Sequence, residues 1–447
     1  MESTATSAGS SAPTIEFIFH GTGTSSSVPN IACITANPIT CETCGSTLGP
    51  AGQKNKRRNT GGILRVLGDS QDSRVIVIDV GKTFLSAAYE LFPRYGLRRI
   101  DAVILTHPHA DAMNGLDDLR GWTLGNSIQA HIDVYVSAFT FKEVQRSFPY
   151  LVAKEFATGG GDIPEFRWHI IKENEPFRVE GVDFDITPIV VHHGRLFTTE
   201  TEGMLTPNDT PIPSGAATPP NTQSKPGIIK SGLSSPQRNP IEISGQGDPV
   251  LVDAVNMASL KLSPKYKPIT RLMPPSRSPT TKFKPYLCFG FIFGDFMVYM
   301  SDVSHIPDDT WETIHSRSPS LGSPKSSGSS SDLAAQTHRY KLLVVDCLKL
   351  EPHTSHFGIQ GALNTAKRVN AHRTYMVGFS HRITHDDWNI IGDYLEGMDL
   401  DDKQLERPNV GAAIRILPQR DEPVWIRPAY DGLRLFGNKE GVWEDSF

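Results

Sequence analysis

Three side chains able to bind a divalent metal recur at every second residue in Thr106-His107-Pro108-His109-Ala110-Asp111. The short, β-branched run Asp101-Ala102-Val103-Ile104-Leu105 ahead of them reads as a buried strand rather than a helix. If the chain stays extended beyond it, the period-two spacing sends His107, His109 and Asp111 to one side. Two imidazoles and a carboxylate converging at a strand end suit a borderline-soft divalent ion such as zinc. A bare His-x-His can also be a polar loop bonded to backbone or water; the aspartate and the strand context favour the metal reading.

Similar candidates stand at the ends of other apolar runs. Residues 182–187 alternate as a strand and lead into Val190-Val191-His192-His193-Gly194. Neighbours in a strand face opposite ways, so the two histidines cannot both join one site. Residues 286–293 and 296–300 read as a hairpin across Gly294-Asp295 that ends in Ser301-Asp302. An acid after so apolar a run needs a partner, a helix N-cap or turn being the alternative. Residues 342–346 form another buried strand. After it, His356 precedes a helix with apolar residues at Ile359, Leu363, Ala366 and Val369, where capping and chemical roles are both open. Residues 374–379 are the next strand, followed by Ser380-His381-Arg382-Ile383-Thr384-His385.

Cys33, Cys41 and Cys44, the last two as Cys-Glu-Thr-Cys, read as half of a structural zinc site that needs a distant fourth ligand. No thioredoxin-like pattern surrounds them to favour a redox pair, and three unlinked thiols are the remaining alternative.

The elements that must position these groups are short. Residues 15–19 form a first strand before the Gly-rich turn His20-Gly21-Thr22-Gly23-Thr24-Ser25-Ser26, which could offer N–H groups to an anion or be an ordinary tight loop. Residues 61–67 and 74–80 read as paired strands, with Asp79 closing the second, and helical spacing follows over 83–92. A short helix over 116–122 and a strand over 132–136 come after the histidine motif.

The chain has 447 residues, a hydrophobic share of 38% and a formal net charge of -5. That length supports a large core, while the low apolar share points to unpacked segments. The acidic balance gives no reason to expect a nucleic-acid or membrane partner, and Lys54-Asn55-Lys56-Arg57-Arg58 reads as a solvated loop. No apolar run is long enough to span a bilayer, and residues 1–13 form a small, polar tail without the pattern of a targeting peptide. Five cysteines in so long a chain indicate a reducing compartment, cytosolic or nuclear. Residues 195–283 and 316–337 lose hydrophobic periodicity and are rich in Ser, Pro, Thr and Gly, so they are expected to be disordered insertions in one domain over 14–447. A short helix over 252–260 is expected inside the first.

The run from Thr106 to Asp111 resembles the Thr-His-x-His-x-Asp-His signature of the metallo-β-lactamase fold. Its extension Gly115-Leu116-Asp117-Asp118-Leu119-Arg120 is similar to the branch holding the cyclic phosphodiesterase of bacterial phosphonate breakdown and its plant and fungal relatives. The resemblance implies an αββα sandwich and metal-dependent hydrolysis of a small phosphodiester, cyclic ones included, with one or two zinc or manganese ions. By that resemblance His107, His109 and His193 hold a first ion, Asp111 and His381 a second, and Asp302 both. His356 would protonate the leaving group, making it and Asp111 the catalytic candidates, and Asp79 would orient the ligands from behind. Cys33, Cys41, Cys44 and His385 would hold the structural zinc, an exchange of His381 and His385 remaining open. Ala112 departs from the signature, where a histidine serves the second ion. The fold also serves thioester and lactone hydrolases, tRNA-processing ribonucleases and non-catalytic metal-stabilised scaffolds.

Overall fold

The computed structural model describes residues 14–68, 73–157, 162–196, 284–318, 339–417 and 422–445. The described residues all fall in one compact unit, Met1–Thr198 with Phe283–Phe447. The tail 1–13, the helix expected over 252–260 and nearly all of both expected insertions lie outside the described residues.

Fourteen described strands run in order: β1 (Ile15–Gly21), β2 (Gly61–Val66), β3 (Arg74–Ile78), β4 (Ala102–Ile104), β5 (Ile132–Ser137), β6 (Phe166–Ile171), β7 (Ile186–Leu196), β8 (Lys284–Phe293), β9 (Met297–Met300), β10 (Tyr340–Asp346), β11 (Ala371–Val377), β12 (Ile426–Pro428), β13 (Arg434–Gly437) and β14 (Val442–Glu444). They build an eight-stranded sheet, ordered β14-β13-β1-β2-β3-β4-β5-β6, and a six-stranded sheet, ordered β12-β11-β10-β9-β8-β7.

Strand alternation sorts the apolar residues into three cores. Ile76 and Ile78 of β3 and Leu342 and Val344 of β10 share a core between the sheets with Phe17, Phe291 and Tyr375. Val75 and Val77 point the other way, onto Phe84, Leu91 and Trp122. Leu343 and Val345 likewise meet Ile359, Leu363 and Trp388. Period-two strands buried on both faces and amphipathic helices buried on one give four layers, the expected αββα sandwich.

Several boundaries differ from expectation. Residues 182–185 are not strand, because the Val182 N–H closes a turn onto the Val179 carbonyl and β7 starts at Ile186. The helix expected over 116–122 is split into a 3₁₀ turn, Asp117–Leu119, and one α turn, Arg120–Thr123. β13 starts only at Arg434, because the Leu433 N–H bonds the Tyr430 carbonyl in a turn. Helices Ala138–Ser147, Asp308–Arg317, His385–Leu395 and Pro408–Ile416 were not anticipated.

Candidate metal centre

His107 and His109 follow the end of β4, and His193 lies near the end of β7. One nitrogen from each lies within 4.8 Å of the others. His107 and His109 do face one way, with ring centroids 4.6 Å apart. Asp111 does not continue the alternation: Ala112 and Met113 both donate to the His109 carbonyl, closing a helical turn over Ala110–Met113. The aspartate borders the cavity but is outside the ligand clusters. Burial, and then Asp302, raise its pKa.

Each triad histidine is held from behind. Asp79 accepts from the Thr106 N–H and from Thr106 Oγ1, both at 2.8 Å. Thr106 Oγ1 is also 2.8 Å from His107 Nδ1. With the hydroxyl proton on Asp79, the His107 Nδ1–H donates to Thr106, and Nε2 keeps its lone pair. That buried Nε2 has no hydrogen-bond partner. Asp79 therefore stands behind the site as expected, but acts through a threonine that sequence reasoning passed over. Its turn is packed against the histidine motif: a Cβ on Gly81 would lie 1.9 Å from the Asp111 carbonyl, and the Val80 N–H donates to the Ala112 carbonyl at 2.7 Å. His193 Nδ1 donates to the Ser355 carbonyl at 2.8 Å, which leaves its Nε2 free as well. His109 is stacked on Tyr286, centroids 4.6 Å apart at 11°. Burial first, and then neighbouring histidines, lower His107 to about 3, and burial with His193 lowers His109 to about 4. Both are neutral imidazoles, the form that binds metal.

Asp302, after β9, has Oδ1 4.0 Å from His193 Nε2 and 3.9 Å from His356 Nδ1. Burial works against its charge, but His193, His107 and His356 outweigh it and hold the carboxyl at about 2. His356 donates from Nδ1 to Asp346 Oδ2 at 3.0 Å, and the same oxygen accepts the N–H groups of Phe357 and Val303. Asp346, fully buried at the end of β10, carries the same strand-end signal as Asp302 and could have been singled out from it. Burial lowers the His356 pKa, but Asp346 and Asp302 raise it further, to about 9. A cavity of about 620 Å³ opens over this edge, lined among others by Ser25, His109, Asp111, His193, Tyr286 and His356. Ser25 comes from the Gly-rich turn, whose Gly23 N–H is taken by the Arg58 carbonyl.

His192 faces away from the triad, its N–H bonded to the His305 carbonyl at 2.9 Å and its ring 5.1 Å from the His305 ring.

One expected assignment is reversed. His381, not His385, stands with the cysteines: its Nδ1 is 3.4 Å from Cys33 Sγ and 3.5 Å from Cys41 Sγ, and Cys44 completes the group. The reason lies in the turn after β11. Buried Arg57 binds the carbonyls of Ser380 and Ile383, fixing the segment with His381 turned toward the cysteines. Thr384 then caps the helix His385–Leu395, so His385 becomes its first residue, buried with its ring 5.4 Å from Tyr430. Three sulfurs and one imidazole are the donor set of a closed, tetrahedral zinc site. The N–H groups of Asn30 and Cys44 already point at Cys44 Sγ and Cys41 Sγ. Burial, above all, pushes the Cys44 thiol up to about 12.

Residues 74–210 match the beta-lactamase superfamily domain. A solved diphosphatase of the PhnP family is similar, with a TM-score of 0.51 and 19% identity over 95% of this chain and 98% of that one. Zn(2+)-bound PqqB from Methylobacterium extorquens aligns with a TM-score of 0.48 and 14% identity, covering 94% of this chain and 99% of that one. A curated octanoyltransferase from Porphyromonas gingivalis (strain ATCC BAA-308 / W83) is 30% identical over 181 residues, 40% of this chain. The chain spans 31% of that relative's length. Among the described residues no helix is long and apolar enough to cross a membrane.

Proposed function

We propose that this chain, which carries the metallo-β-lactamase fold, is a metal-dependent hydrolase of small phosphodiesters, cyclic ones included. The observation that carries the reading is the pairing of two features at one cavity: three imidazoles with a ring nitrogen each within 4.8 Å of the others, and His356 held by a buried carboxylate. The triad fits zinc or manganese, and such an ion would supply Lewis acidity to a phosphoryl oxygen and to water. His107 and His193 are fixed in the ligating tautomer by Thr106 and Ser355. Asp111, with its raised pKa, faces the cavity as an acceptor for a proton from water. His356, whose Nδ1–H is committed to Asp346, has Nε2 left to hand a proton to the departing oxygen.

That acid favours an oxygen leaving group. An alkoxide is a poor leaving group unless protonated, whereas a thiolate, with a thiol pKa of about 8.5, departs unaided. The similar solved structure is named a diphosphatase, which agrees with phosphoryl chemistry. A second reading, hydrolysis of an acyl ester or thioester, is favoured by the relative named an octanoyltransferase. Rates on a phosphodiester, a thioester, a lactone and a precursor tRNA, measured on manganese-loaded protein, separate the readings. The diester is expected to be turned over fastest; preference for the thioester would overturn the proposal.

A further inference from the structure

The metal-ligating residues here are complete for one ion and incomplete for two. The positions from which a further histidine would be expected supply none to this site. Ala112 has no donor atom and is buried with its carbonyl on the Val80 N–H. His381 belongs to the cysteine cluster. His305, the other histidine able to compensate for Ala112, pairs with His192 facing away from the triad.

Asp111 and Asp302 remain, and among the described residues no third donor closes on that pair. The neighbouring cluster, His193, Asp302 and His356, shares His193 with the triad. Its His356 bonds Asp346 through the Nδ1 that approaches Asp302, which leaves only Nε2, the nitrogen assigned above to carry the proton for the leaving oxygen. Nor can the strand end beside Asp346 contribute a ligand: Gly378 has φ +77, and a Cβ there would lie 2.3 Å from Asp346 Oδ1.

We infer that the active site takes a single divalent ion, on His107, His109 and His193 with Asp302 beside them, and that the His356–Asp346 pair stands where a second ion would otherwise be held. Asp302 then lies between the ion and a hydrogen-bonded imidazole instead of between two ions. The assignment rests on the metal-hydrolase reading, but it concerns stoichiometry and needs no substrate to test.

Full-length protein is stripped with chelator, dialysed and titrated with Mn²⁺, while zinc is counted separately, since a thiolate-rich cluster prefers the softer ion. Bound manganese per chain and its electron paramagnetic resonance spectrum are then read. One manganese with an uncoupled six-line signal is expected, and His356→Gln should still bind it, because the variant removes no ligand. Two ions with an exchange-coupled spectrum would overturn the single-ion assignment and leave the hydrolase reading standing. Loss of the manganese in His356→Gln would make that histidine a ligand and overturn its proposed place. No manganese at all would defeat both readings together.

Discussion

His381 Nδ1 lies 3.4 Å from Cys33 Sγ across 348 residues of sequence, so this contact ties the loop after β1 to the turn after β11. A metal there would bind the folded chain, where its ligands are gathered across a very long loop, and would stabilise it against unfolding. Replacing His381 with Ala is expected to remove one tightly held zinc per chain and lower the melting temperature. His385→Ala should leave the zinc content unchanged, since its ring packs on Tyr430 instead. Metal analysis of the two variants decides the matter; zinc lost from the His385 variant and kept in the His381 variant would reverse it.

Asp79 and His107 do not touch, yet Thr106 joins them through two 2.8 Å hydrogen bonds. Thr106→Val keeps the shape and removes the hydroxyl that sets the His107 tautomer. Such a partner is commonly worth ~10–100-fold in metal affinity, and a weakening of that order is expected for the triad. Competition against a metal indicator measures it. Unchanged affinity would mean that packing alone orients the ring.

The αββα architecture was legible because period-two strands and ligand-bearing strand ends are properties of short windows. That His192 and His193 could not both join one site was legible for the same reason; the choice of His193 came from the family resemblance, and His193 clusters with His107 and His109. What the sequence hid depends on contacts between distant segments. His381 and His385 share one loop, and only the grip of Arg57 on Ser380 and Ile383 decides which ring reaches the cysteines. Asp111 was misread locally, because a helical turn begins one residue earlier than extended spacing allows. Tyr286 could be read only as part of a strand; its stacking on His109 is a tertiary fact.

A buried histidine outside the metal centre should shape the acid stability. His20 Nε2 donates toward the carbonyls of Ile78 and Asp79, and burial lowers its pKa to about 4. The unfolded chain takes up this proton near pH 6.5 and the folded one only near 4, so the contribution is complete above 6.5 and lost as pH falls through that window. A shift of this size corresponds to about 3 kcal/mol over the window. Denaturant unfolding of the native protein and of His20→Gln at several values between pH 7 and 4 should show the variant falling less steeply. Parallel profiles would exclude His20 as a source of acid sensitivity.

The hydrogen bond from His356 to Asp346 makes a further demand on the chemistry. If His356 protonates the leaving oxygen, His356→Gln should slow diesters with alkyl leaving groups by ~10²–10⁴, the usual range for a general acid. It should slow p-nitrophenyl diesters much less, because that leaving group needs little protonation. Equal losses on both would assign His356 to positioning rather than proton transfer.

If an ion on His107, His109 and His193 drives phosphodiester hydrolysis, turnover of bis(p-nitrophenyl) phosphate must follow its occupancy. Native protein should be inactive after chelation, regain turnover as manganese or zinc is added, and level off at one ion per chain beyond the cysteine-bound zinc. His193→Ala should lose at least about 100-fold and gain nothing from added metal, since only two imidazoles of the triad would remain. Turnover that survives chelation, or a His193→Ala variant as active as the native protein, would mean that no ion on the triad drives the reaction.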